Sequence, residues 1–171
     1  MFSFSSLKLK TRLWIVIGMA ALGMLILVLF AIVHQRASLL DDHKLRVQHL
    51  TQTAKTLVGH FYQLQQNGTL SEEQPKTQAK ELLRQARYAD NDYFFIYDFD
   101  GRAVMVAGKP EIEGQVMLGK KDAVGTPLWD LIVEHGKRGA GYIDYYFPRA
   151  GSDKPQHKIS YIAGMPQWQW A

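Results

Sequence analysis

Leu13 to Val33 form 21 consecutive positions without a charge, an Asn, a Gln or a Pro. At about 1.5 Å per residue, a helix of that length spans roughly the ~30 Å hydrocarbon layer of a bilayer. A buried helix of a soluble protein is seldom so long and uninterrupted. A cleaved signal peptide has an apolar core of only about 7–15 residues, followed by a small-x-small cleavage site. Here the run leaves through Val33-His34-Gln35-Arg36, so it reads as an uncleaved transmembrane anchor. Lys8, Lys10 and Arg12 precede it with no acidic residue before them, which favours a cytoplasmic amino terminus. The expected division is a cytoplasmic basic tail at 1–12, an anchor at 13–33 and a domain across the membrane at 34–171.

The net charge of +4 does not mark a nucleic-acid binder. Three basic residues lie in the tail, leaving 17 Lys and Arg against 16 acidic residues beyond the anchor, with no basic stripe. The absence of cysteine excludes disulfides, thiolate nucleophiles and cysteine-type zinc sites. A disulfide-free domain is compatible with an oxidising compartment.

Beyond the anchor, Leu40, Val47, Leu50, Ala54, Leu57, Phe61 and Leu64 recur at helical steps and predict a long helix over 37–66. No Gly or Pro separates it from the anchor, and Asn67-Gly68 ends it. Ser71-Glu72-Glu73-Gln74 has capping-box spacing and opens a second helix, expected over 71–88. Pro75 is tolerated there because it falls in the first turn. Ala89-Asp90-Asn91-Asp92 breaks that helix, and the pattern turns to strands over 93–171.

Tyr93-Phe94-Phe95-Ile96-Tyr97 reads as the first strand, Asp98 to Gly101 as a turn, and Ala103 to Val106 as the returning strand. An irregular loop follows to about Gly125, then a short helix from Pro127 to Glu134 stopped by Gly136. Gly141 to Phe147 and His157 to Ala163 are two further strands. Trp168-Gln169-Trp170 has the alternation of a fifth strand just beginning. A strand starting there leaves a sheet edge unfilled, which predicts a fragment of something longer. The fold class read from this order is α+β, a long helix and an antiparallel sheet behind an amino-terminal transmembrane helix, with the last strand incomplete.

Asn91-Asp92-Tyr93-Phe94-Phe95-Ile96-Tyr97-Asp98, Gly101, Lys109-Pro110-Glu111, Gly114, Gly141-Tyr142-Ile143-Asp144-Tyr145-Tyr146-Phe147-Pro148 and Lys158-Ile159-Ser160-Tyr161 fall in one recognisable order. In these motifs the chain resembles the single Cache domain of the second type over roughly Gln35 to Ala171. That family supplies the periplasmic sensor module of many bacterial chemoreceptors, histidine kinases and diguanylate cyclases. The resemblance implies a PAS-like sheet covered by two helices, an inner-membrane location and a short organic acid as ligand. It also implies a second membrane helix and an output module, neither of which this sequence contains. Two residues depart from the family pattern. Val106 stands where members often carry a His, which removes a donor and a chargeable group. Phe147 stands where a Trp is usual and keeps an apolar ring.

Period-two geometry places Tyr93, Phe95 and Tyr97 on one face of their strand, and separates Ile143, Tyr145 and Phe147 from Tyr142, Asp144 and Tyr146. An organic-acid pocket needs apolar walls and a few donors. The candidate ligand-binding residues are therefore Tyr93, Phe95, Tyr97, Trp129, Tyr145, Phe147, Lys158 and Tyr161. Each has a plainer reading, because aromatic rows also build cores and a strand lysine also marks a solvated edge.

Catalytic patterns are missing from the sequence. His34, His43, His49, His60, His135 and His157 form no His-x-x-x-His pair. Asp98-x-Asp100-Gly101 lacks the later ligands of a calcium loop and reads as a hairpin turn. Neither a Gly-x-Ser-x-Gly elbow nor a phosphate-cradling loop is present. The reading is a non-enzymatic, membrane-anchored sensor module without cofactor, expected to form a homodimer through its long helix and to bind no nucleic acid. The alternative is a structural or degenerate membrane fragment that binds a partner helix.

Overall fold

The computed structural model describes residues 8–68, 71, 73–89 and 91–171. Most of the basic tail, Glu72 of the capping pattern and Asp90 of the helix break lie outside the described residues. The chain divides into two compact units, Met1–His43 and Lys44–Ala171. In the first unit, Leu13–Ala31 is long and apolar enough to cross a membrane.

One helix, α1, runs Leu9–Gln66. The sequence offers no breaker along it, so the anchor and the expected 37–66 helix are a single element. Within the second unit α1 buries Val47, Ala54 and Val58. Leu57, expected on the apolar stripe, is 46% exposed, and Val58 fills the inward position instead. Steps of four from Ala54 to Val58 and on to Tyr62 follow the face that meets the sheet.

Helix α2 spans Glu73–Gln85 and ends earlier than expected. Ser71 N–H donates to Gln74 Oε1 at 3.1 Å, one half of the capping box. Arg87–Tyr88 is not helical but forms a short strand, β1, paired with β2 at Asp92–Tyr93. Tyr88 packs against Phe94 there, with ring centres 5.2 Å apart, so tertiary aromatic contact overrides local helix preference.

Strand β3 at Phe95–Tyr97 pairs antiparallel with β4 at Ala103–Val106. Asp98 Oδ1 accepts the N–H groups of Asp100 and Arg102 at 3.0 and 2.8 Å and so closes the intervening turn. A 3-10 turn at Pro110–Ile112 follows. Helix α3 covers Leu128–Arg138, and long strands β5 at Ala140–Pro148 and β6 at Pro155–Ala163 pair in unbroken antiparallel register.

Gly136 does not stop α3. It is buried inside the helix, which continues to Arg138 and is closed by Gly139 at φ 107°. A side chain at Gly136 would collide with Ala171, and one at Gly164 would collide with the Gly136 carbonyl. That glycine is there for close approach rather than for termination. The expected strand at 168–170 is also displaced. Trp168 and Gln169 form a turn, Gln169 has φ 56°, and extended pairing begins only at Trp170.

Two apolar clusters result. One joins α1 and α2 to one side of the strands through Ala54, Val58, Ala79, Leu83, Ile96, Met105, Met165, Trp168 and Trp170. The other joins α3 to the opposite side through Tyr93, Tyr97, Val106, Leu128, Trp129, Ile132, Ile143 and Tyr145.

Candidate ligand-binding site

Alternation along β3 turns Phe95 and Tyr97, with Tyr93 two residues earlier, toward α3. Strand β5 presents Tyr145 and Phe147 to the same space, and β4 presents Val106. Helix α3 contributes Leu128 and Ile132, four apart and therefore on one helical face. These eight side chains enclose a cavity of about 20 Å³. That holds little more than one water, for which about 10–15 Å³ is needed. The site is small.

Two of its three tyrosine hydroxyls are paired from within. Trp129 Nε1–H donates to the Tyr97 hydroxyl at 3.0 Å, and the Trp129 ring stands edge-on to Phe147. The Tyr145 hydroxyl and Ser160 Oγ are 2.9 Å apart. Lys158 faces Tyr145 directly across the β5–β6 register, so both side chains emerge on the same face. Its Nζ lies 4.6 Å from the centre of the Tyr93 ring, and Lys109 Nζ lies 5.9 Å from that of Phe147. The Lys158 ammonium has no hydrogen bond or ion pair among the described residues.

Burial pushes the Tyr93 and Tyr97 hydroxyls up to about 12. Burial raises Tyr145 further, against the opposing effect of its Ser160 bond. At neutral pH all three remain protonated donors. Burial lowers the Lys158 ammonium from its ordinary value, Asp92 opposes that shift, and Arg149 adds to it. An anion beside Lys158 would reverse the penalty.

The loop after β4 is tied to α2. Arg84 of α2 donates to both oxygens of Glu113 at 2.8 and 2.9 Å, and Glu113 Oε1 accepts the Val106 N–H at 2.8 Å. The Arg84 bond holds the Glu113 carboxyl below its ordinary value, burial opposes, and the Val106 N–H adds to the lowering. Gly108 lies flush against the Tyr93 ring, since a side chain there would overlap it.

Of the residues expected at a site, Tyr93, Phe95, Tyr97, Tyr145 and Phe147 line the cavity. Trp129 is behind it as the partner of Tyr97, and Lys158 is at its edge beside Tyr93. Tyr161 does not join them. It packs on Tyr142, ring centres 4.9 Å apart, on the other face of the β5–β6 pair. Parity explains this, because Lys158 and Tyr161 are an odd number of residues apart and cannot share a face of one strand. Leu128, Ile132 and Ser160 were not expected. The four-residue spacing of Leu128 and Ile132 was a readable signal, whereas the Ser160 contact depends on strand register. Val106 is 2% exposed and offers the cavity only methyl groups. Among the described residues, no group of three or more His, Asp or Glu side chains is placed to hold a metal ion.

Comparison with known proteins agrees with this architecture. Residues 39–171 match the family model described as Single Cache domain 2. The chain is similar to the methyl-accepting chemotaxis protein McpP of Pseudomonas putida, 28% identical over 96% of this chain and 30% of that protein. It spans under a third of the length of the curated relatives it matches. Among solved structures it is similar to a periplasmic sensor domain of a chemotaxis protein, with TM-score 0.74 and 32% identity over 77% of this chain and 92% of that one. A Cache chemosensory domain described for carboxylic acid recognition gives TM-score 0.71 and 31% identity over 73% of this chain and 86% of that one. An aromatic cavity between an antiparallel sheet and a short helix, reached through motifs in matching order, leads to one conclusion: the chain belongs to the single Cache domain 2 family of sensor domains.

Proposed function

We propose that this protein is a membrane-anchored, extracytoplasmic sensor module whose cavity takes a short organic carboxylate. The observation that supports it best is the pairing of an apolar, tyrosine-lined cavity with the half-buried Lys158 at its edge. Tyrosine hydroxyls and the lysine ammonium would receive the carboxylate, while Phe95, Val106, Leu128 and Ile132 would contact the alkyl end. The carboxylic-acid recognition of a similar domain favours the same ligand class. In this reading residues 1–12 are cytoplasmic, 13–33 cross the inner membrane and 34–171 lie in the periplasm.

A cavity of about 20 Å³ admits no acetate without widening. Binding is therefore coupled to movement of the walls. Strand β5 links those walls to α1, because Tyr145 faces the cavity while Tyr142 turns the other way. The Tyr142 hydroxyl donates toward the Lys44 carbonyl at 3.2 Å and lies 2.8 Å from Gln48 Oε1. A ligand that prefers the widened arrangement would shift β5 and, through Tyr142, bias α1; equal affinity for both arrangements would transmit nothing. Exposed Leu45 and Leu57 on α1 support pairing of two copies along that helix.

The test is calorimetry and thermal shift of the 171-residue protein in detergent micelles with acetate, propionate, pyruvate and lactate. At least one should release heat and raise the melting temperature. Lys158→Met should weaken that binding about tenfold or more, the scale of one charge-assisted contact. Silence with all four acids, or full binding by Lys158→Met, ends this reading.

A further inference from the structure

Helix α3 meets the strands differently at its two ends. At the carboxyl end the approach is as close as backbones allow. A side chain at Gly164 would collide with the Gly136 carbonyl, and one at Gly141 with the His135 ring. Gly139, just past the helix at φ 107°, donates its N–H to the Gly136 carbonyl at 3.1 Å and accepts the Gly164 N–H at 2.8 Å. Toward the amino end the helix stands over the cavity, where Leu128 and Ile132 form part of the wall.

That amino end is held by few polar ties. Residues 119–138 are braced within themselves. Asp130 Oδ2 accepts the Gly119 N–H at 3.1 Å, and Asp122 Oδ1 accepts those of Val124 and Thr126 at 3.0 and 2.7 Å. Among the described residues, two side-chain hydrogen bonds join this segment to the strands. One is the Trp129 indole N–H to the Tyr97 hydroxyl. In the other, Asp122 Oδ2 accepts the Tyr146 N–H of β5 at 2.8 Å. Gly139 and Gly164 are a hydrogen-bonded pair, and such pairs recur at every second residue, so Tyr146 turns its N–H away from β6. Asp122 thus grips the outer edge of β5, between the cavity residues Tyr145 and Phe147. Burial alone would raise the Asp122 carboxyl, but the N–H groups of Tyr146, Thr126 and Val124 outweigh it and hold it below its ordinary value. The grip is charge-assisted.

We propose that α3 is the moving wall of the cavity, a lid hinged at Gly136–Gly139 and latched to β5 by Asp122. The proposal rests on the carboxylate reading, which requires a cavity of about 20 Å³ to widen. Tilting α3 about its tight end lifts Leu128 most and leaves the β3–β4 and β5–β6 ladders intact. Hinges absorb such rotations in a few element-terminal residues, and a glycine has the conformational range for it. A ligand then enters through the seam between the first turn of α3 and the outer edge of β5. Trp129 leaves with the lid and frees the Tyr97 hydroxyl. Release of the latch also frees β5 at Tyr146, on the same strand whose Tyr142 reaches Lys44 and Gln48 of α1. Opening and signalling share one strand.

The chain has no cysteine, so one introduced thiol reports on one place. Leu128→Cys, at a position 3% exposed, is labelled with iodoacetamide in detergent micelles without any carboxylate, at a rate set by how often the lid stands open. Adding Asp122→Asn should speed that labelling about tenfold or more, the scale of one lost charge-assisted bond. Tyr146→Pro deletes the donor at an edge position and spares the Asp122 turn, and it should speed labelling likewise. Ile132→Cys serves as a second reporter and should respond in the same direction. Met105→Cys, fully buried in the α1-facing cluster, should label equally slowly with and without Asp122→Asn. Unchanged labelling of the lid thiols in either latch variant overturns the proposal. So does equal acceleration at Met105→Cys, which marks loosening of the whole domain. With no carboxylate present, a failed lid leaves the ligand reading standing, and a failed titration leaves the lid measurable.

Discussion

The two faces of the strands are differently built. Toward α1 and α2 the contacts are mainly Ala54, Val58, Ala79, Leu83 and Met105, with Trp168 donating its indole N–H to Gln65 Oε1 at 2.8 Å. Toward α3 the contacts are Tyr93, Tyr97, Trp129 and Tyr145, with the Tyr97 hydroxyl paired to the Trp129 indole N–H and the Tyr145 hydroxyl to Ser160. The first face is mostly aliphatic but incompletely filled, since Ala54, Val58 and Leu83 also line a cleft of about 90 Å³. The second keeps neutral donors in reserve, and each internal bond can be exchanged for one to a ligand. In the proposed reading, sensing belongs to the face whose polar pairs are replaceable.

Deleting a large side chain from each face tests this division most strongly. Met105→Ala, from a residue with no exposed surface, should cost about 2–4 kcal/mol and leave carboxylate affinity unchanged. Ile132→Ala should cost a similar ~2–4 kcal/mol but enlarge the cavity and change which acid binds best. Urea unfolding and calorimetry on both variants separate the two outcomes. Identical ligand profiles would erase the proposed distinction between the faces.

A smaller effect is expected from Tyr97→Phe. It strands the Trp129 indole N–H in an apolar setting, at a cost of about 1–3 kcal/mol. Removing both partners with Tyr97→Phe and Trp129→Phe should recover part of that loss, a coupling that a double-mutant cycle reads directly.

The smallest effect concerns the clasp between Arg84 and Glu113. The Glu113 carboxyl lies below its ordinary value of 4.5 in the folded protein, chiefly through Arg84. Its contribution is fully present above that value and is lost as pH falls through the lower folded one. Melting temperatures measured from pH 6 down to pH 3 should therefore fall less steeply in Glu113→Gln than in the parent. The difference should amount to about 1 kcal/mol for this partly exposed pair. Parallel slopes would mean that the clasp adds nothing to stability.

The same contrast shows where the sequence was readable. Period-two alternation placed five cavity residues on their correct faces, because side-chain direction in a strand is local geometry. It also contained the parity that removes Tyr161 from the group. The failures came where neighbours distant in sequence decide. Gly136 looked like a helix stop but exists because Ala171 and Gly164 crowd against it. Leu57 fitted the helical stripe, yet Val58 faces the strands. Arg87–Tyr88 extended a helical pattern, yet pairs with Asp92–Tyr93.

By itself, then, the amino-acid order determined the long apolar helix, the alternation of the strands and the aromatic character of one sheet face, since each follows from spacing along a single segment. Only the tertiary structure decided that the cavity is small and that Ser160 and Trp129 pair with the Tyr145 and Tyr97 hydroxyls. Those properties depend on register and on the distance between segments far apart in the chain, which no local pattern of residues encodes.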